Sequence, residues 1–354
     1  MRDNINKNQP LVSIITPCFN GESYVANFLD SVLNQTYTNI EFIFVNDGST
    51  DKTEEIALSY KEKFENIGIN FIYIYQENKG PAAALNKGLS IFKGQYLTWP
   101  DSDDILDKDN ILQRVMFLEN NNRYNVVLCN SVYINESGKK IGHLKRIPPK
   151  ENIKNSIKDN IEDILLDNIF LDLITETNIS FAGGAYMLRA SAFIQAIPKR
   201  KIFESRGGQN WQMLLPVLYN NRCGYLDTDL YYIYKREGSH SRKKEDFEES
   251  IKRLKSHEDI LVNTIDSISN MPDEEKDKYY EIIQNKYLKK RLVIYSRHRK
   301  IDELKKTYKT LKNKKVNTFT DQLVYICGRY TVPHYLEKSI RSTVRILRRI
   351  KEKI

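Results

Sequence analysis

The chain has 354 residues, of which 40% are hydrophobic and 29% charged, and its net charge is +9. That length leaves room for two domains, and the balance of apolar to charged residues supplies an ordinary core and excludes global disorder. The basic excess lies mostly in the C-terminal third, which directs attention to anionic partners such as acidic substrates, membrane surfaces or nucleic acid.

The stretch 1–10 is polar and does not read as a signal peptide. Residues 11–17 form a short β-branched run that reads as a buried strand. Helical spacing follows over 23–35, on Tyr24, Phe28, Leu29, Val32 and Leu33. A strand is expected at 40–45. Asp51 is placed to cap a helix over 52–65, with Glu54 at the capping-box position. A third strand is expected at 71–75 and a helix over 81–92, with Pro81 near its start. A strand at 96–99, a helix at 108–120 and a strand at 124–129 complete the series. The alternation implies βαβ units, hence an α/β fold with a mostly parallel sheet flanked by helices.

Residues 151–178 carry an amphipathic helical pattern, and 181–188 read as a glycine-kinked strand. Beyond about 243 the chain becomes Lys/Glu-rich and helical, without strand patterns. The expected division is therefore 1–243, with halves at about 10–130 and 131–243, followed by a helical region over 244–354. There is no internal repeat. In the final stretch, Leu336, Ile340, Val344, Leu347, Ile350 and Ile354 recur at helical spacing among Arg341, Arg345, Arg348, Arg349, Lys351 and Lys353. Such a basic amphipathic helix can lie on an anionic bilayer or pack its stripe on its own domain. No apolar run approaches the roughly 20 residues of a membrane span, so membrane contact is expected to be peripheral. The four cysteines (Cys18, Cys129, Cys223, Cys327) lie far apart. They suit reduced thiols in a cytoplasmic protein, at most peripheral on the inner face of the cell membrane, better than a disulfide or zinc framework.

The chemistry concentrates where two strands end. The strand at 40–45 leads into Asn46-Asp47-Gly48-Ser49-Thr50-Asp51, and the strand at 96–99 into Asp101-Ser102-Asp103-Asp104. In open α/β sheets, ligands bind at the carboxyl ends of the strands. Carboxylates clustered there suit a hard divalent cation, Mn2+ or Mg2+, and such cations commonly hold phosphates. A metal-assisted enzyme acting on a nucleotide-linked sugar fits this placement.

Four segments carry a resemblance in order: 12–20 (Val-Ser-Ile-Ile-Thr-Pro-Cys-Phe-Asn), 44–51 (Phe-Val-Asn-Asp-Gly-Ser-Thr-Asp), 77–81 (Glu-Asn-Lys-Gly-Pro) and 101–104 (Asp-Ser-Asp-Asp). Together they resemble the successive motifs of family-2 glycosyltransferases with the Rossmann-like GT-A fold, over roughly residues 10–240. The resemblance implies inverting transfer of a sugar from a nucleotide donor, usually UDP-linked. It implies that Pro17 and Asp47 line the nucleotide pocket, with Asp47 accepting from the uracil N3–H, and that Asn78 meets the base or ribose. It places Asp101 and Ser102 against the donor and Asp103 on the metal, with Asp104 in support. The plain alternatives are a turn and helix cap at 47–50, a loop amide at Asn78, and a solvated acidic loop at 101–104.

The segment 235–242 resembles the loop that closes over the donor. There His240 is a candidate contact to metal or diphosphate, and Arg236 and Arg242 are candidate phosphate contacts. The alternative is a solvated basic loop.

Two departures from the family pattern stand out. Relatives carry Ala-Arg-Asn in the helix after Asn78, whereas here the residues are Ala84, Leu85 and Asn86, leaving Lys79 or Lys87 to supply charge. The usual catalytic base is the Asp of a Glu-Asp-Trp-like motif, whereas here the residues are Gln209, Asn210 and Trp211. An amide is no general base near neutral pH. Glu204 or Asp172 then acts instead, or Gln209 and Asn210 orient the acceptor, or the chain is inactive. Trp211 reads as a helix anchor or a sugar platform. Gly183 and Gly184 read as a bend or a close approach to sugar.

The leading expectation is a metal-dependent glycosyltransferase acting on a cell-surface glycan or lipid-linked acceptor. The alternative is a catalytically impaired domain serving as a glycan-binding or partner subunit. A nucleotidyltransferase would show a basic glycine-rich loop after the first strand, and 16–22 holds no Lys or Arg. No recognition motif for nucleic acid is present. The helical region after 245 is a candidate surface for homo-oligomer formation.

Overall fold

The computed structural model describes residues 9–143, 169–177, 182–235 and 246–330. The chain divides into two compact units: 1–173, 178–239 and 267–269 form the first, and 174–177, 240–266 and 270–354 the second.

The first unit opens with β1 (Val12–Cys18), α1 (Val25–Leu33), β2 (Ile40–Asp47), α2 (Thr53–Ser59), α3 (Lys61–Asn66), β3 (Asn70–Gln76), α4 (Pro81–Ile91) and β4 (Tyr96–Thr98). It continues with β5 (Ile105–Leu106), α5 (Asn110–Asn120), β6 (Val126–Ile134), β7 (Lys140–His143) and α6 (Ile169–Thr175). A single 3-10 turn (Gly183–Ala185) precedes β8 (Tyr186–Arg189), α7 (Ala190–Ala196), α8 (Gln209–Leu218) and β9 (Cys223–Tyr234). The strands form one sheet in the order β3-β2-β1-β4-β8-β6-β9-β5, with β7 on β6. Strands β3, β2, β1 and β4 run parallel. β8 then runs antiparallel between β4 and β6, and β9 lies parallel to β6. All eight residues of β2 are buried, as expected of a parallel strand covered on both faces. Phe42 of β2 anchors an aromatic cluster, with its ring centroid 6.0 Å from Phe28 and 5.3 Å from Phe64.

This order sends the ends of β1, β2, β3 and β4 to one edge. β9 is the second positioning device. It shifts register on β6 between Cys129 and Ser131 and then pairs Tyr231 and Tyr232 with β5. A long strand bent by irregular pairing re-aims its side chains, and here it carries Tyr231 back beneath the loop after β4.

Three local expectations are corrected. The helix expected over 52–65 breaks at Tyr60, whose hydroxyl turns to Asp30 Oδ1 of α1 at 2.8 Å. The capping box on Glu54 does not form, because the N-cap is Lys52; Asp51, one residue ahead, still accepts from Thr53 N at 3.0 Å in the first turn and with its other oxygen from Glu22 N of the β1–α1 loop. The glycine-kinked strand is a 3-10 turn at Gly183–Ala185, and the strand itself starts at Tyr186. The Gly184 carbonyl is taken by Arg114, and a Cβ on Gly184 would stand 2.1 Å from the Tyr231 ring. Of the helix expected over 151–178, α6 is described and 151–168 lie outside the described residues.

The second unit contains α9 (Phe247–Asp266), α10 (Asp273–Arg297), α11 (Ile301–Asn313) and α12 (Phe319–Arg329). Leu292, Leu304 and Leu311 form its core, with Tyr308 and Tyr325 stacked at 4.2 Å. Glu176 is clamped by Lys286 at 2.8 Å and Lys290 at 2.6 Å. α12 starts with a capping box between Thr318 and Asp321. Among the described residues, no helix is long and apolar enough to cross a membrane. The basic stretch 335–354 lies outside the described residues.

Candidate active site

The loops after β1 and β2 are laced together. Asn20 N donates to Ser49 Oγ at 3.0 Å, and Asn20 Oδ1 accepts from Thr50 N at 2.9 Å. Gly21 N donates to Thr53 Oγ1 at 2.7 Å, and Glu22 N to Asp51 Oδ2 at 2.9 Å. Burial pushes the Asp51 carboxyl up, but hydrogen bonds from Thr53 and Glu22 outweigh it and hold the group below its ordinary value. Pro17 is half-buried at the register position opposite Val45.

Asp47 ends β2 and is buried. Its Oδ1 accepts from Gln76 Nε2 at 2.6 Å and Lys79 N at 2.9 Å, and its Oδ2 accepts from Gly80 N at 2.9 Å. One carboxylate therefore shapes the whole loop from β3 to α4. Gly48 follows at φ +75°, where a Cβ would stand 2.6 Å from Asn78 N. Only glycine fits that approach.

The acidic loop after β4 sits on Tyr231, whose hydroxyl accepts from Asp101 N at 3.2 Å. Tyr234 N donates to Asp104 Oδ1 at 3.3 Å. Burial first, and the Asp103 carboxylate second, push Asp101 up to about 7. Burial, Asp101 and Asp103 drive Asp104 well above the carboxylate range. Ser102 is buried and hydrogen-bonds the Cys18 side chain, which ties the β1 and β4 ends together. Burial lifts the Cys18 thiol to about 12, with Asp51 and Asp103 adding to it.

Beside this loop, Arg114 is fully buried and donates to Thr98 Oγ1 at 3.3 Å and Gly184 O at 3.0 Å. Asn210, in the first turn of α8, accepts the Trp99 indole N–H on Oδ1 at 2.7 Å. Gln209 is half-buried beside it. Trp211 is buried and donates to Leu173 O at 3.0 Å, which makes it an anchor. Glu204 is exposed and pairs with Lys201 at 3.0 Å. Asp172 lies half-buried on α6. Leu85 is buried in α4, and Lys79 and Lys87 are exposed. Arg236, His240 and Arg242 lie outside the described residues.

The structure thus gathers Pro17, Asp47, Asn78, Asp101, Ser102, Asp103 and Asp104 at one sheet edge. Four residues that build the same edge were not read from the sequence. Tyr231 and Arg114 left no local signal. Gln212 follows Gln209 by one helical turn, and Arg206 sits just before the amide motif, so both were within reach of a closer reading of 204–212.

Residues 13–193 match the family model for glycosyl transferase family 2. The chain belongs to that family. An uncharacterised glycosyltransferase of Haemophilus influenzae is 32% identical over 206 residues, covering 53% of this chain and 80% of its own length. One from Rickettsia typhi is 41% identical over 141 residues, covering 40% of this chain and 42% of its own length. The chain thus spans less than half the length of that Rickettsia relative. Among solved structures, S. aureus TarS 1-349 in complex with UDP-GlcNAc superposes with a TM-score of 0.60 at 20% identity, over 89% of this chain and 86% of that one. A mannosyltransferase from Pyrobaculum calidifontis, in complex with GDP-Man and Mn2+, gives 0.53 at 14% identity, over 96% and 86%. These superpositions show that this family-2 chain has the GT-A fold.

Proposed function

We propose that this family-2 chain transfers a sugar from a nucleotide donor, UDP-linked by its motifs, to a glycan or lipid-linked acceptor, assisted by a divalent cation. The observation that carries the reading is the crowding of Asp101, Asp103 and Asp104 at the end of β4, where burial and mutual repulsion lift two of the three carboxyls. Among the described residues, no three His, Cys, Asp or Glu side chains form a ready-made metal cage. The donor set still fits Mn2+ or Mg2+, because such ions are commonly held by one or two carboxylates together with substrate phosphates. Asp103 would hold the ion, with Asp101 beside it and His240 as a further ligand. When bound, the cation neutralises the charge that grows on the departing diphosphate.

The chain's own residues then have separable tasks. Asp47 fixes the loop that carries Asn78 toward base or ribose. Tyr231 and Arg114 hold the backbone under the acidic loop and at Gly184. The membrane-facing role of 335–354 and a cytoplasmic inner-face location remain part of the same proposal.

A panel of UDP-, GDP- and dTDP-sugars with Mn2+, followed for release of nucleoside diphosphate, tests it. One donor should be consumed, and Asp103→Asn should abolish the release. Consumption that survives both Asp103→Asn and chelation would overturn the metal assignment. The second reading, a glycan-binding partner subunit, is favoured by one observation: the residue at the usual base position is Asn210, and its oxygen is engaged by Trp99. Glycan binding without turnover of any donor in the presence of acceptor would establish that reading.

A further inference from the structure

We propose that Arg206 grips the diphosphate of the nucleotide donor, in the role that Leu85 cannot fill. The proposal rests on the donor reading above. Leu85 is 1% exposed and directed into the core. Arg206 reaches the donor edge from the opposite direction, out of the loop ahead of α8. Its Nη1 donates to Asn78 Oδ1 at 3.3 Å. Its stem lies over Gly80, where an added Cβ would stand 3.3 Å from Arg206 Cγ. Gly80 is itself tied to Asp47. The guanidinium therefore stands on the loop that the Asp47 carboxylate shapes.

The mount beneath Arg206 is rigid. Asn86 of α4 is buried and makes a two-way clasp with Ile202, its Nδ2 donating to Ile202 O at 2.9 Å and its Oδ1 accepting from Ile202 N at 2.8 Å. Gln212 of α8 is buried and does the same with Phe203, at 2.6 Å and 3.1 Å, while also reaching Ser205 Oγ at 3.3 Å. Ser205 Oγ donates to Gly207 O at 2.6 Å. Buried amides with both ends satisfied specify one loop conformation. That conformation ends in an exposed arginine.

A guanidinium carries five N–H donors in a fixed fork. Asn78 takes one of them. A planar fork with donors left over matches paired phosphate oxygens better than a lysine point charge does. The plain alternative is that Arg206 only braces Asn78.

Binding of UDP and GDP with Mn2+ by calorimetry, and of uridine and guanosine by ligand-observed NMR, separates the two. Arg206→Ala should weaken nucleoside diphosphate binding about tenfold or more, as expected for loss of a charge-assisted hydrogen bond, and leave nucleoside binding unchanged. Arg206→Lys should fall between. Gln212→Leu, which loosens the mount but keeps the charge, should weaken the diphosphate and spare the nucleoside. Unchanged diphosphate binding by Arg206→Ala overturns the proposal, and so does an equal loss for nucleoside and diphosphate, which would mark a brace on Asn78. Failure of the wild-type chain to bind any nucleoside diphosphate overturns the donor reading and this proposal with it. That outcome is seen before any variant is made.

Discussion

The Trp99 indole donates its N–H to Asn210 Oδ1 at 2.7 Å, joining the strand end that carries the acidic loop to the first turn of α8. The bond needs only an acceptor at position 210, and a carboxylate serves as well as an amide.

Asn210→Asp should therefore preserve the fold. A negative charge in the first turn of a helix is also favourable. It restores a proton acceptor at the position where the family resemblance places the base, so turnover of the preferred donor should rise by about a hundredfold or more, the low side of what general-base catalysis supplies. Steady-state rates with a matched acceptor check this. An Asp variant with unaltered turnover would place the proton acceptor elsewhere, with Glu204→Gln and Asp172→Asn as the next substitutions to measure.

Asp47→Asn tests the loop-shaping carboxylate. An amide presents N–H groups where Gly80 N or Lys79 N now donates, so at least one buried donor loses its partner. The expected loss of stability is about 2–4 kcal/mol, one or two hydrogen bonds to a charged acceptor. Urea unfolding monitored on the first unit measures it. A loss below about 1 kcal/mol would show that the loop holds its shape by other means.

The acidic loop predicts a pH dependence with a definite sign. Burial and the Asp103 carboxylate push Asp101 up to about 7 in the folded chain, against near 4 when unfolded, and Asp104 is displaced upward as well. Between those values the folded state binds more protons than the unfolded one, so stability falls as pH rises. The metal-free protein should lose stability from about pH 4 to about pH 7 through these groups. Mn2+ should restore it most strongly above pH 7, with protons released on binding near neutrality. Asp51, Glu176 and Asp229 are displaced downward and act oppositely, losing their contribution only as pH falls below the ordinary carboxylate range. Melting temperature against pH, with EDTA and with Mn2+, reads the effect. Asp101→Asn should flatten the metal-free slope, and an unchanged slope contradicts the assignment.

Gly184→Ala places a methyl 2.1 Å from the Tyr231 ring and 2.8 Å from Pro100 Cα. Neither neighbour is a flexible side-chain end. Overpacking of this kind should destabilise by about 1–3 kcal/mol. Because Tyr231 supports Asp101, Mn2+ affinity should fall as well. Calorimetric titration of the variant at a temperature where it is folded separates the two effects.

Much of the first half of the site was legible in the sequence, because its signals are local. The middle of β2, Phe42-Ile43-Phe44-Val45, is an apolar run, and Asp47 at its end and Asp51 just beyond are close by in the chain. Asp101 to Asp104 follow β4 in the same way. The second half was not legible, because its contacts span great sequence distances. Asn86 meets Ile202 across 116 residues, and Trp99 meets Asn210 across 111. Tyr231 reaches the acidic loop only because β9 shifts register on β6, and no periodicity encodes that shift. The glycines at 183 and 184 were visible as special, yet whether they bend a strand or form a turn depends on Arg114 and Tyr231.

All four cysteines are buried. Burial lifts Cys18 to about 12 and Cys129 to about 11, and it drives Cys223 upward as well. A thiol reagent reacts with the thiolate, so these positions are slow to label. The wild-type chain is thus a quiet background for spectroscopy. Cysteines introduced together at exposed Phe203 and Lys79 would carry a pair of spin labels without prior removal of the native thiols, and the distance between the two loops could be followed in solution as donor is added.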